Sequence, residues 1–173
     1  AYDYREDFNA AVLSFTRDLP PGYYRATVSP PLADATGNLL VDLGQEFGTT
    51  TGRRRRCGWL DAVMLRYSAR INGLSCLAMT KLDVLDTFDE IALCTAYRHA
   101  NGSTSDRFPS SLHALSGVTP VYELHPGWKT PTSAATTWDS LPALCRQYIE
   151  RVESVVGIPI AMLSVGADRK PTI

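Results

Sequence analysis

No stretch of this chain is apolar for long enough to cross a bilayer, no CxxC or paired histidines offer metal-ligand spacing, and neither GxxxxGK[ST] nor GxGxxG occurs. The first absence sets aside a membrane-spanning helix. The opening AYDYREDF carries no signal-peptide pattern, so the expectation is a cytoplasmic protein with no membrane partner. The second absence bears on Cys57, Cys76, Cys94 and Cys145, which are widely separated and read as reduced thiols rather than disulfides or a zinc site. His99, His113 and His125 are scattered over loops and loop edges and form no ligand motif, so no metal residue is assigned. The third absence leaves any nucleotide site without a phosphate cradle. Net charge is scarce as well: 17 basic against 18 acidic residues give a formal charge of -1, which speaks against a nucleic-acid partner. With 173 residues, 45% hydrophobic and 20% charged, and no internal repeat, one globular core is expected.

Against that even background stands TTTGRRRRCGW, residues 49 to 59. Thr49, Thr50, Thr51, Gly52, Arg53, Arg54 and Arg55 concentrate hydroxyl and guanidinium donors around a glycine free to adopt conformations closed to other residues. Such a cluster suits bidentate capture of a small phosphate or carboxylate; a solvated surface patch is the alternative. The following GWLDAVMLRYSARING has helical spacing at Leu60, Val63, Met64, Tyr67 and Ile71. The arginines are thereby expected at a helix entrance, where the dipole adds to anion binding.

Periodicity predicts an α/β chain. YREDFNAAVLSFTRD reads as a helix stopped at Leu19 to Gly22, and YYRATVSPPLAD as a proline-broken surface loop. Residues 34 to 47 read as a helix with Leu39, Leu40 and Leu43 inward. LSCLAMT is a buried parallel strand, and its exit is Thr80, Lys81, Leu82, Asp83, where open α/β sheets bind ligands. A lysine stem can lie flat on a purine while the Asp83 carboxylate accepts two N–H groups that guanine offers and adenine does not; a capped turn is the alternative. EIALCTAYR and a turn at Asn101 and Gly102 signal a hairpin, VTPVYELH an edge strand, and Trp128 and Trp138 packing anchors. LPALCRQYIERVESVVG is the clearest helix. The strand IPIAMLSVG follows it and exits through Ser164, Val165 and Gly166.

These segments together resemble adenylosuccinate synthetase. The run from Gln45 through TTTGRRRRCGW and TKLD, then YELHPGW and VGIPIAMLSVGADR, is similar to the C-terminal region of that family over residues 35 to 173. Residues 1 to 34 are left as an unplaced helix and proline-rich loop. The resemblance implies a partial P-loop-GTPase-like sheet of parallel strands flanked by helices, with a small antiparallel hairpin region. It also implies a ligase of purine (AMP) biosynthesis that joins IMP to aspartate while cleaving GTP, with magnesium, commonly as a homodimer. By the same resemblance Thr49 through Arg55 hold aspartate, Arg53 also reaches IMP, and Arg55 reaches GTP. Lys81, Leu82 and Asp83 read guanine, and Ser164, Val165 and Gly166 close the base site. The family's phosphate loop, catalytic residues and magnesium ligands belong to an N-terminal portion with no counterpart in this sequence, so no catalytic residue is assigned here. Val28 to Asp34 keep only the prolines of the family's Gly-Pro-Phe-Pro-Thr-Glu-like segment. The competing expectation is a non-catalytic remnant serving as a structural or interaction subunit.

Overall fold

The computed structural model describes residues 25–27, 39–55, 57–166 and 172–173. The helix expected over residues 4 to 18 lies outside them. In chain order the elements are β1 (Arg25–Thr27), α1 (Leu39–Leu43), β2 (Leu60–Asp61), α2 (Ala62–Asn72), β3 (Leu77–Thr80), β4 (Glu90–Arg98), β5 (Thr104–Ser105), α3 (Leu112–Ser116), β6 (Thr119–Pro126), α4 (Ala143–Val156) and β7 (Ile160–Leu163).

Strand β3 is the axis of the parallel sheet. It runs between β1 and β7 and parallel to both, as the buried run LSCLAMT predicts. Its neighbour β1 falls within the stretch read as a surface loop. Arg25 to Thr27 pair with Ala78 to Thr80 through backbone groups, which composition does not report.

The hairpin region forms a second sheet around β4. Strand β6 pairs antiparallel along its length, from Glu90 opposite Pro126 to Arg98 opposite Thr119, and β5 returns beside Tyr97 and Arg98. Strand β2 runs parallel to β4 on the other side, with Leu60 opposite Leu93. Among the described residues β6 pairs with β4 alone, so Pro120 sits on an edge where its missing N–H is tolerated.

Helix α4 places Cys145, Tyr148, Ile149, Val152 and Val156 in the core and ends at Gly157, whose φ of 85° only glycine adopts without strain. Those side chains share one cluster with Leu65 and Ala69 of α2, Leu77 and Met79 of β3, and Leu163 of β7. Two helices differ from the sequence reading. Helix α2 starts later, because Leu60 and Asp61 are drawn into pairing with β4; its buried face is Ala62, Val63, Leu65, Ser68 and Ala69, and Ile71 is exposed. Helix α1 ends at Leu43, which is exposed while Val41 is buried, because Phe47 is held in a backbone bridge with Arg54.

Candidate functional site

That bridge is the base of a hairpin that carries the arginines. Glu46 O accepts Arg55 N–H at 2.9 Å, Arg53 O accepts Gly48 N–H at 2.8 Å, and Gly48 O accepts Gly52 N–H at 2.8 Å. The tight return requires φ of 63° at Gly52. Thr49, Thr50, Thr51, Gly52 and Arg53 are all exposed at the tip, and Thr51 Oγ1 accepts Arg53 N–H at 3.4 Å.

The arginines are not equivalent. Arg54 reaches back to Asp42 at 2.7 Å and lies over the Phe47 ring at 5.7 Å. Arg55 donates from Nη1 to Glu46 Oε2 at 3.3 Å. Arg53 has no side-chain partner among the described residues and faces solvent. Nor do they share a helix entrance. Asp61 occupies the N-terminus of α2, accepting Met64 N–H at 2.9 Å and the Tyr97 hydroxyl, so that dipole is already answered by a carboxylate. Burial holds the Asp61 carboxyl above its ordinary range, against the hydrogen bond from Tyr97.

The second group of residues forms at the carboxyl ends of β3 and β7. Because the strands are parallel neighbours, their exits lie side by side: Met79 O accepts Ser164 N–H at 2.8 Å, and Ser164 O accepts Leu82 N–H at 3.3 Å. Lys81 turns the chain through a left-handed conformation, φ 63°, into a short 3-10 turn, Leu82–Leu85. Leu82 and Val165 are fully buried and fix the two exits to the core, while Ser164 Oγ donates to Gly166 O at 3.1 Å. Asp83 Oδ1 is buried with no hydrogen-bond partner among the described residues. Burial raises the Asp83 carboxyl above its ordinary range; its own backbone amide opposes this, Asp86 adds to it, and Lys81 opposes it. Thr80 Oγ1, one step earlier, is likewise buried and unpartnered among the described residues.

The two groups meet at Glu46. Its Oε1 lies 2.5 Å from Lys81 Nζ while its Oε2 serves Arg55, and Lys81 also donates to Gly44 O. Glu46 was not singled out from sequence. Asp86 was missed too. It accepts Trp128 Nε1–H at 2.6 Å and Thr132 N–H at 2.8 Å, strapping the loop around Trp128 beneath the Leu82–Leu85 turn. Trp128 is buried, in keeping with the packing role expected of it.

A family model described as adenylosuccinate synthetase matches residues 25 to 173. The chain belongs to the adenylosuccinate synthetase family. An adenylosuccinate synthetase of Picosynechococcus is 51% identical over 142 residues, covering 82% of this chain and 32% of its own length. One from Moorella thermoacetica is 46% identical over 162 residues, with 94% and 37% covered. The chain thus spans about a third of the length of the synthetases it matches. A structure of fully ligated adenylosuccinate synthetase from Plasmodium falciparum superposes with a TM-score of 0.78 at 37% identity, over 84% of this chain and 35% of that one. The synthetase fold therefore holds for the described sheet and helices.

Proposed function

We propose that this chain supplies the guanine pocket and the aspartate and IMP loop of an adenylosuccinate synthetase. The observation that carries the reading is Asp83 Oδ1, a buried acceptor without a partner among the described residues, at the joined exits of two parallel strands. A guanine edge offers the two N–H donors that a carboxylate there accepts, and the Lys81 stem gives the base an apolar side to lie on. Family membership supports the whole reaction. The γ-phosphoryl group of GTP passes to the 6-oxygen of IMP; the aspartate amine then attacks C6, the C–O bond breaks, phosphate leaves and the amine gives up a proton. The work of this chain's residues is binding and orientation. Thr49 through Arg55 hold the aspartate carboxylates, Arg53 also reaches IMP and Arg55 also reaches GTP; Ser164, Val165 and Gly166 close the base site.

Family membership also implies magnesium. Among the described residues no three His, Cys, Asp or Glu side chains converge on a metal position, and the roles proposed for these residues are binding and orientation. No described helix is long and apolar enough to cross a membrane. Assembly as a homodimer completes the proposal. The deciding experiment is calorimetric titration of the complete protein with GDP and ADP. GDP is expected to bind in preference to ADP, and Asp83→Asn to remove that preference; equal binding of both nucleotides to the unmodified protein would sink the reading.

A further inference from the structure

One buried carboxylate divides its oxygens between the two loops. Glu46 is 6% exposed, yet it faces one cation from each: Lys81 Nζ at 2.5 Å from Oε1 and Arg55 Nη1 at 3.3 Å from Oε2. Its own carbonyl takes the Arg55 N–H at 2.9 Å, so backbone and side chain fix the same arginine. A buried charge is retained only where partners compensate its lost hydration, and here those partners are two residues of the proposed ligand sites.

We propose that Glu46 is the positioning residue that makes the arginine loop and the base loop one unit. The inference rests on the function proposed above. Lys81 is held at its ammonium end by Glu46 and Gly44 O, and at its backbone by the left-handed turn, so its methylene stem is stretched between two fixed points. A stem fixed in this way presents a flat apolar side to a base without losing further rotamer freedom on binding. Arg55 spends Nη1 on Glu46, and its side chain is still half exposed, which leaves guanidinium donors for an anion. The charge and the two oxygens are both required. Glutamine at this position has one accepting oxygen and one donating nitrogen, so it satisfies one cation and turns N–H groups toward the other.

The test is a pair of double-mutant cycles in the complete protein, with GDP affinity and, in the presence of IMP, aspartate affinity read by calorimetry. Glu46→Gln is expected to weaken both ligands by about tenfold, a typical loss for a broken charge-assisted contact. In a Lys81→Met background it should cost GDP less than it does alone, the remainder passing through Arg55, and in an Arg55→Met background it should cost aspartate nothing further. A merely structural acid would lower both affinities by the same factor in every background. Additive losses therefore overturn the proposal, as do unchanged affinities in the single variant. Should Glu46→Gln fail to fold, Glu46→Asp keeps the charge and shortens the reach by one methylene; the same cycles then apply, with non-additive losses supporting the proposal and additive ones ending it. An unmodified protein that binds neither GDP nor aspartate ends the functional reading itself and takes this proposal with it.

Discussion

The arginine loop and the base loop both present polar groups to a ligand, and they do so with opposite uses of burial. The arginine loop is an exposed hairpin closed by its own backbone hydrogen bonds, and Thr49 to Arg53 stand in solvent. The base loop is built on the core: Leu82 and Val165 are fully buried, and Asp83 Oδ1 is a buried acceptor without a partner among the described residues. Donors in water need only local geometry and lose little when a neighbour moves. A buried acceptor depends on every element that keeps water away from it, and it gains selectivity in return, because leaving it unpaired is costly.

If this contrast is right, the largest effect comes from a residue that touches no ligand. A Cβ at Gly127 would stand 1.8 Å from the Phe88 carbonyl oxygen, so backbone must move. Gly127 leads into Trp128, whose indole holds Asp86 at the end of the Leu82–Leu85 turn. Gly127→Ala is expected to cost about 3 kcal/mol and to lower Tm by about 6–12 °C, with GDP affinity falling while the arginine loop keeps its fold. Thermal unfolding with GDP titration checks it, and an unchanged Tm breaks the link between strap and base loop.

Next in size is Asp83→Asn. Removing the charged acceptor is expected to cost GDP binding about 2–3 kcal/mol, with aspartate affinity left within about a factor of two. Arg53→Leu should do the converse, weakening aspartate by about 1–2 kcal/mol and leaving GDP alone, since an exposed guanidinium is worth less than a buried carboxylate. Equal losses of both ligands in either variant would erase the distinction between the loops.

Acidity offers a finer probe of the same difference. Burial, with Asp86 adding to it, holds the Asp83 proton on to higher pH than an ordinary aspartate, against its own backbone amide and Lys81. The base needs the ionised form, so GDP affinity is full above that raised pKa and falls as pH drops through it. The decline should therefore begin above the ordinary aspartate range of about 3.9, and Asp83→Asn should abolish it. A pH series of GDP affinities that stays flat down to the ordinary range contradicts the buried, free acceptor.

The contrast also explains what the sequence made legible. The parallel strand β3 and helix α4 are written in their apolar side chains, and the hairpin at Asn101 and Gly102 in its turn residues. The composition of the arginine loop is itself local. Pairing of β1 with β3 is carried by backbone groups that no side chain announces, and α2 loses its first turn to a strand pairing some thirty residues away, Leu60 with Leu93. Glu46 and Asp86 were illegible for a related reason. Each looks like an ordinary surface acid until the fold brings Lys81 to one, and Trp128 with Thr132 to the other.

The smallest effect is expected where the same glycine-to-alanine change is made in the exposed loop. Gly52 has φ of 63°, and no atom lies within 4 Å of a Cβ built there. The cost is then the backbone term alone, about 1 kcal/mol, with a Tm loss of about 2–4 °C. Gly52→Ala should shift the Arg53 end of the loop and weaken aspartate severalfold, while GDP affinity holds, because the hairpin's other bonds at Glu46 and Gly48 remain. Set beside Gly127→Ala, it separates strain that a solvent-exposed turn absorbs from a collision that the core beneath the base loop cannot. If the two substitutions lowered Tm and GDP affinity alike, the arginine loop would be as deeply coupled to the core as the base loop, and Glu46 would be the first place to look for the coupling.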